Sequence, residues 1–263
     1  MKIIIISSNL KSTGAYILNH LLENTTNLDI SVIYAPKTIV NKKKYFLTKA
    51  RKVIKIGFFG VLIGVYIRKW YNLNKQLSLN LKSLDKLCLE NGLNFYIADR
   101  LNSTNTTQYI KTLNPDLGVS IGNGYISSNV FLAPKHGMIN IHHEELPLYQ
   151  GAQSVIWQIY NNSLKTMYTI HKINKQIDGG HILMQENIPI KFEKTLEKTV
   201  SETYFLLWKA SAKGLEKLID NFTFFEQNSK KQQNGNKFTT PSIIEFIKIY
   251  KNHKKLYNIT LEK

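Results

Sequence analysis

Short apolar runs alternate with amphipathic stretches along the first 190 residues of the chain. The run at residues 2–7 contains four consecutive isoleucines, which is typical of a strand buried on both faces of a parallel sheet. The alternation predicts βαβ units, and therefore a Rossmann-like, doubly wound α/β fold with a mainly parallel sheet. Strands are predicted at residues 2–7, 28–35, 93–98, 117–122, 138–142, 167–173 and 181–190. Helices are predicted at residues 12–22, 73–90, 104–113, 128–132, 152–162, 197–218 and 242–251.

Residues 40–90 interrupt this alternation with a basic and apolar helical insertion. Seven basic residues and no acidic residue lie between Lys42 and Lys55, and the twelve residues 56–67 carry no charge. Twelve residues are too few to span a bilayer, which needs about 20. A helix buried against the domain or another subunit is favoured, because short apolar runs are more often core. A helix lying in a membrane interface remains open. Three glycines would permit close packing along one side: Gly57, Gly60 and Gly64.

The composition fits a single α/β domain with extensions. The chain has 263 residues, of which 43% are hydrophobic. Its one cysteine, Cys88, excludes an intramolecular disulfide and a cysteine-based metal cage, so a reducing compartment is expected. The first residues read as a strand and lack the layout of a signal peptide. We therefore expect a cytoplasmic protein, with a polar run at residues 227–237 forming a flexible loop.

The formal charge of +17 indicates an anionic partner: nucleic acid, anionic lipid or a phosphorylated substrate. Only three of the 35 basic residues are arginine. Arginine provides the bidentate fork for phosphate, whereas lysine acts as a point charge. Abundant lysine, isoleucine and asparagine also fit a compositional bias of the source. Nucleic acid is therefore disfavoured as a partner, and peripheral membrane contact stays open.

One polar cluster stands out at the end of the predicted strand at residues 138–142. Successive side chains of a strand point to opposite faces, so Asn140 and His142 share one face. Pro147 and Gly151 mark a turn-rich loop after the strand. An amide and an imidazole side by side can form a catalytic pair, to which a third residue from another segment would have to be added.

These residues resemble the formyltransferase family that uses N10-formyltetrahydrofolate. The resemblance covers roughly residues 1–190 and depends on the Asn-x-His, Leu-Pro, Tyr-x-Gly and later Asp-x-Gly motifs. It implies that Asn140, His142 and Asp178 are catalytic. Formyl transfer passes through a tetrahedral intermediate, which needs a donor for its oxyanion and a group that relays a proton. The resemblance implies that Asn140 donates to the oxygen and that Asp178 orients His142 and accepts the amine proton.

The same resemblance assigns binding residues. The folate would be held mainly by backbone groups of two loops, and the amine substrate by residues after the Asn-x-His strand. The expected cofactor-binding residues are Gly122, Asn123, Gly124, Tyr125, Ile173, Gln176 and Ile177. The expected substrate-binding residues are His143, Glu144, Tyr149 and Gln150.

The other histidines allow a competing interpretation. His143, His171 and His181, with nearby glutamates, could suggest a metal site. Adjacent strand side chains point apart, however, so His142 and His143 rarely bind one ion, and no metal is expected. His171 is interpreted as a packing residue on its strand, and the role of His181 stays undecided.

Three amines are natural acceptors in this family: initiator tRNA, glycinamide ribonucleotide and a nucleotide-linked amino sugar. The tRNA enzymes append a β-barrel domain, whereas about 45 residues follow Leu218 here. The ribonucleotide enzyme carries a glycine-rich phosphate loop that residues 7–9 match only in part. We therefore expect the acceptor to be a nucleotide-linked amino sugar used for surface polysaccharide. Initiator tRNA and glycinamide ribonucleotide are alternatives, and so is a membrane-associated formyltransferase-like module that acts on a lipid-linked sugar. We also expect a catalytic domain at residues 1–220, a short extension at residues 221–263, and a homo-oligomer.

Overall fold

A seven-stranded sheet forms the centre of the molecule. The computed structural model describes residues 1–39, 41–71, 80–151 and 153–262. The strand order is β3-β2-β1-β4-β5-β7-β8, in which β1 to β5 run parallel and β7 and β8 are antiparallel to their neighbours. The predicted doubly wound, mainly parallel α/β fold is thus confirmed. These strands are β1 (Lys2–Ser7), β2 (Asp29–Tyr34), β3 (Asn94–Ile97), β4 (Leu117–Ile121), β5 (Met138–His142), β7 (Lys165–Lys172) and β8 (Ile182–Pro189).

Helices cover both faces of this sheet. A separate small pairing joins β6 (Gln150–Gly151) to β9 (Lys237–Phe238). The described helices are α1 (Thr13–Asn24), α2 (Lys42–Trp70), α3 (Leu84–Glu90), α4 (Thr104–Leu113), α5 (Ser128–Phe131), α6 (Ile156–Tyr160), α7 (Leu196–Asp220), α8 (Phe222–Gln227) and α9 (Ile243–Leu261).

The four isoleucines of β1 show why the sheet is buried on both sides. Ile3 and Ile5 join the larger hydrophobic cluster, to which α1 and α7 contribute, and Ile4 and Ile6 join a second cluster on the other face. All four side chains are fully buried. Both faces of β1 are thus covered, as the continuous apolar run predicts.

Two predicted helices are shorter than the pattern indicated. Residues 153–155 are not helical, because Gln153 and Val155 have φ values of 80° and 76°, in the left-handed region. The helix there is limited to Ile156–Tyr160. Of the helix predicted at residues 73–90, residues 73–79 lie outside the described residues, and α3 begins only at Leu84.

Helix α2 contains a kink at Gly57, whose φ of 72° and ψ of 169° are not helical. A narrow stripe of the helix is buried, and it includes Gly60, Gly64 and Ile67. A Cβ at position 64 would lie 2.7 Å from Cγ2 of Thr240, so the predicted close packing is observed at Gly60 and Gly64. It is not observed at Gly57, where a Cβ would meet nothing within 4 Å. The opposite face is exposed, and the favoured interpretation of a buried helix is therefore correct only for this stripe.

The C-terminal segment packs back onto the domain. Within the polar run predicted as a flexible loop, Lys230 forms an isolated β-bridge with Ile182, and residues 231–236 have no regular secondary structure. Helix α9 runs to Leu261, ten residues beyond the predicted end at residue 251, and starts with a capping box formed by Ser242 and Glu245. The division at residue 220 stays a prediction. None of the helices in the described ranges is long and apolar enough to cross a membrane.

Candidate active site

A half-open cavity of about 480 Å³ lies at the carboxyl ends of β1, β4 and β5. Its volume is in the range of ligand-binding clefts. In open α/β sheets, ligands bind outside the carboxyl ends of the strands, at the point where the strand order reverses. Here that point is between β1 and β4. The cavity is therefore where the fold itself predicts a ligand.

The Asn-x-His pair shares one face of its strand, as predicted, and that face lines the cavity. Asn140 and His142 are two residues apart on β5, and both line the cavity. Because β5 pairs antiparallel with β7, Asn140 lies directly opposite His171, and the two side chains point to the same face. Nδ2 of Asn140 lies 3.2 Å from Nε2 of His171.

Asp178 approaches this cluster from the turn after β7. Its backbone is in the left-handed region, with φ at 53°. Oδ1 lies 4.0 Å from Nδ1 of His142 and 3.9 Å from Nε2 of His171. The backbone N–H of Gly151 donates to Oδ2 at 3.3 Å. The structure thus brings together Asn140, His142 and Asp178, and adds His171.

Backbone carbonyls determine where the imidazoles carry their protons. Nε2–H of His142 donates to the Tyr149 carbonyl at 3.1 Å, which leaves Nδ1 towards Asp178. Nδ1–H of His171 donates to the Lys172 carbonyl at 2.9 Å, so its Nε2 accepts from Asn140. Burial lowers the pKa of His171, and nearby His142 lowers it further. His171 is therefore neutral at physiological pH and acts as a hydrogen-bond acceptor.

The interpretation of His171 as a packing residue is incomplete. The side chain is almost fully buried, yet it lines the cavity and contacts Asn140. It was missed because the register between two strands decides which residues meet, and single-strand periodicity does not give that register.

All seven expected cofactor-binding residues line the cavity: Gly122, Asn123, Gly124, Tyr125, Ile173, Gln176 and Ile177. The Asn123 amide donates inwards, to the Ile6 carbonyl at 2.7 Å and to Oγ of Ser120 at 3.0 Å. The side chain therefore fixes the loop after β4 and is not itself turned to a ligand. This geometry fits recognition of a ligand by backbone atoms.

Of the expected substrate-binding residues, the structure places His143 alone on the cavity wall. Its Nε2 lies 3.2 Å from Oγ of Ser211, and burial lowers its pKa to about 3, so the ring is neutral. Glu144, Tyr149 and Gln150, which were also expected to bind the substrate, do not line the cavity, and their role stays a prediction.

Protein partners hold these three side chains elsewhere. Gln158 and Ser154 hydrogen-bond the buried Glu144 carboxyl, and burial raises its pKa to about 8. The hydroxyl of Tyr149 accepts a hydrogen bond from the Asn161 amide at 3.0 Å. Gln150 is buried, with Nε2 3.5 Å from the carbonyl oxygen of Asp178. Periodicity could not show this, because loop residues follow no fixed alternation.

Other cavity residues carried no motif in the sequence. Thr13 lines the cavity from α1, and Tyr204 lines it from α7. Gln153 and Ser154 line it from the loop before α6. His181, which the sequence left undecided, is exposed and lies 3.4 Å from Oγ of Ser229. Within the described ranges, no three His, Cys, Asp or Glu side chains are arranged to hold a metal ion.

The fold and this cluster define a doubly wound α/β protein with a ligand site at the ends of its strands. The formyl transferase family model matches residues 1–206 of the 263. The chain belongs to the formyl transferase family.

Relatives of known structure or sequence agree with this assignment. A methionyl-tRNA formyltransferase of Thermodesulfovibrio yellowstonii is 33% identical over 144 residues, which cover 54% of this chain and 44% of that protein. An N-formyltransferase from Helicobacter canadensis, in complex with folinic acid and dTDP-3-aminofucose, has a TM-score of 0.58 at 19% identity, over 98% of this chain and 80% of that chain. A phosphoribosylglycinamide formyltransferase from Bacillus halodurans has a TM-score of 0.55 at 16% identity, over 83% of this chain and 95% of that chain. The chain spans about half the length of the curated relatives it matches.

Proposed function

We propose that this protein transfers a formyl group from N10-formyltetrahydrofolate to a primary amine. The observation that carries the proposal is the convergence of Asn140, His142 and Asp178 at one cavity in a chain of the formyl transferase family. The three groups come from two segments that are 36 residues apart, from His142 to Asp178, and only the fold brings them together.

The reaction needs an oxyanion donor. The acceptor nitrogen attacks the formyl carbon, the carbonyl oxygen becomes negative, and the bond from that carbon to N10 of the folate then breaks. Asn140 uses one amide hydrogen on His171, and in this proposal the second donates to the developing oxyanion. An uncharged donor lowers the energy of the intermediate without neutralising it.

The reaction also needs a proton transfer. The attacking amine loses a proton, and N10 gains one when tetrahydrofolate leaves. Nδ1 of His142 faces Oδ1 of Asp178, so a proton on Nδ1 forms an imidazolium beside a carboxylate. In this proposal the imidazolium stabilises the oxyanion, and Asp178 accepts the proton of the amine and returns it to N10 as the bond from the formyl carbon to N10 breaks. The Gly151 N–H on Oδ2 keeps Oδ1 directed at the imidazoles.

The folate would lie between two loops. Gly122–Tyr125 follow β4, Ile173–Asp178 follow β7, and residues of both loops line the cavity. Both loops are expected to bind the pterin through backbone groups. In this proposal the N10-formyl group lies next to Asp178, which ends the second loop.

For the acceptor we propose a nucleotide-linked amino sugar, whose product would enter a surface polysaccharide. Support comes from the extent of structural similarity. The Helicobacter canadensis enzyme, solved with dTDP-3-aminofucose, is similar over 98% of this chain, whereas the phosphoribosylglycinamide enzyme is similar over 83%. The similarity to the Helicobacter canadensis enzyme therefore includes more of this chain outside the catalytic sheet than the similarity to the phosphoribosylglycinamide enzyme does. The curated relatives are named methionyl-tRNA formyltransferases, so initiator tRNA is the second candidate.

A substrate panel separates these candidates. Purified protein is incubated with N10-formyltetrahydrofolate and one amine at a time: dTDP- and UDP-linked amino sugars, glycinamide ribonucleotide or methionyl initiator tRNA. Tetrahydrofolate release and the formylated product are both measured. We expect turnover with an amino sugar and none with the other two. Turnover with tRNA alone would replace the sugar assignment and keep the formyl transfer.

A further inference from the structure

Helix α2 presents an exposed apolar face that the proposed reaction does not use. After the kink, five apolar residues, each at least 46% exposed, recur at helical spacing: Phe58, Phe59, Leu62, Val65 and Tyr66. The buried residues Gly60, Gly64 and Ile67 lie on the opposite side of the same turns. Large contiguous apolar patches are rare on monomeric soluble proteins and mark interaction sites.

The part of the helix before the kink carries an apolar stripe of its own. Phe46, Leu47, Val53 and Ile54 share one side of the helix at spacings of seven and eight residues, and Ile54 is 82% exposed. Both parts of α2 therefore present an apolar side to solvent.

Basic residues border this face. Residues 42–70 contain nine lysines and arginines and no acidic residue. On a helical projection, Lys42 and Lys49 flank one edge of the first apolar stripe, and Arg51 and Lys55 flank the other. No described cation of α2 forms an ion pair with a carboxylate of the described residues. The positive charge is thus available to a partner.

We propose that α2 docks this protein on an anionic phospholipid bilayer, lying in the plane of the interface. A helix with an apolar side and lysines along its borders matches both parts of such a surface: the acyl region and the anionic headgroups. A second copy fits less well, because a two-fold contact would bring the two basic faces together. Nucleic acid would neutralise the positive charge of α2 but would leave the apolar side chains of the helix exposed to water.

The docked helix is joined to the cavity wall. Nζ of Lys52 donates to Oγ1 of Thr240 at 3.0 Å, and the Gln153 amide donates to the same oxygen at 3.3 Å. At the end of the helix, Tyr71 donates to the Ser154 carbonyl at 2.9 Å. Gln153 and Ser154 both line the cavity. A bilayer bound to α2 is therefore connected to the active site by two short hydrogen-bonded links.

Vesicle flotation of the full chain tests the proposal. We expect the protein to float with phosphatidylcholine vesicles that contain about one third phosphatidylserine, but not with phosphatidylcholine alone. Raising the salt concentration should weaken the binding. The triple variant Lys42→Gln/Lys43→Gln/Lys55→Gln should lose about 100-fold in affinity, since each lysine near an anionic surface contributes roughly fivefold. The variant Phe58→Ser/Phe59→Ser should lose binding on the order of 100-fold.

Matched controls keep these results specific. The triple variant Lys111→Gln/Lys198→Gln/Lys213→Gln removes the same charge from exposed positions elsewhere, and Leu89→Ser removes an apolar side chain that is 84% exposed. Both should bind vesicles like the unaltered protein.

A fluorescent label locates the contact. Cys88 is buried and burial raises the pKa of its thiol to about 11, so a dye reacts selectively with Leu62→Cys. Its emission should shift to shorter wavelength with anionic vesicles, whereas a dye at Leu89→Cys should not respond. Absence of binding to anionic vesicles overturns the proposal. An equal loss of vesicle affinity in the control triple variant also overturns it. So does a protein that binds no vesicles but forms a dimer, if Phe58→Ser/Phe59→Ser dissociates that dimer.

Discussion

The Asn140 amide donates a hydrogen bond to Nε2 of His171, 3.2 Å away, across the β5–β7 pair. The Lys172 carbonyl accepts the Nδ1 proton of the same ring at 2.9 Å. The two contacts determine the tautomer of His171 and the orientation of the Asn140 amide. A buried imidazole thus positions the proposed oxyanion donor.

Replacing this imidazole should impair turnover more than folate binding. We expect His171→Leu to lower kcat about 10- to 100-fold, because the Asn140 amide loses its acceptor and reorients. KM for the folate should stay within about threefold, because the loops that hold it are intact. The effect of Asn140→Ala should be smaller in the His171→Leu background, with a coupling energy of about 1 kcal/mol in steady-state kinetics.

A conservative variant serves as the control. His171→Gln retains an oxygen that can accept from Asn140, so part of kcat should return. Additive losses in the double variant would show that His171 supports only the packing of β7.

The proposed acid–base pair should be indispensable. We expect Asp178→Asn and His142→Ala to reduce formyl transfer about 100- to 10,000-fold, since each removes a proton-transfer or oxyanion-stabilising group. Tetrahydrofolate release is the readout, and circular dichroism confirms folding. The exposed Asp220→Asn is the matched control and should retain full activity. Near-normal rates in Asp178→Asn would refute the assigned roles.

Glu144 should make stability depend on pH. Burial raises its pKa from the ordinary glutamate value of 4.5 to about 8, so the folded protein binds this proton more tightly than the unfolded chain. The free energy of unfolding should therefore fall as pH rises from about 4.5 to about 8. The neutral Glu144→Gln should match the unaltered protein at low pH and exceed it above pH 8, by about 2 to 4 kcal/mol.

Urea unfolding at a series of pH values measures this difference. Glu145→Gln removes a neighbouring carboxylate and controls for the change in net charge. A pH-independent difference between Glu144→Gln and the unaltered protein would contradict the account of a buried, neutral carboxyl.

Gly180 should tolerate no side chain. A Cβ there would lie 1.7 Å from the carbonyl oxygen of Lys172, and backbone at that distance must move. We expect Gly180→Ala to lower the free energy of unfolding by at least about 2 kcal/mol and to displace the Asp178 turn. Gly124→Ala is the control, because its Cβ would meet nothing within 4 Å. Equal melting temperatures for the two variants would contradict the observed packing.

The sequence predicted the parts of the site that follow local rules. Asn140 and His142 share a face because strand side chains alternate, and the structure confirms this pairing. Asp178 entered through the family motif rather than through periodicity, because a turn residue 36 positions after His142 has no local relation to it.

The remaining differences come from tertiary structure. His171 lies in the site because the register of β5 and β7 places it opposite Asn140. Helix α6 is shorter than predicted because two residues before it have positive φ. Residues 56–67 carry no charge, a pattern shared by buried helices and by helices that lie on a surface. Only the packing of Gly60 and Gly64 against Thr240 and its neighbours showed which side is buried.

The most direct test is formyl transfer from N10-formyltetrahydrofolate to a nucleotide-linked amino sugar, followed as tetrahydrofolate release with Asp178→Asn run in parallel. We expect release that depends on the amine, one formylated product per tetrahydrofolate, and a loss of both in the variant. No release with any amine from a folded protein that binds the folate, or equal release by Asp178→Asn, would contradict this expectation.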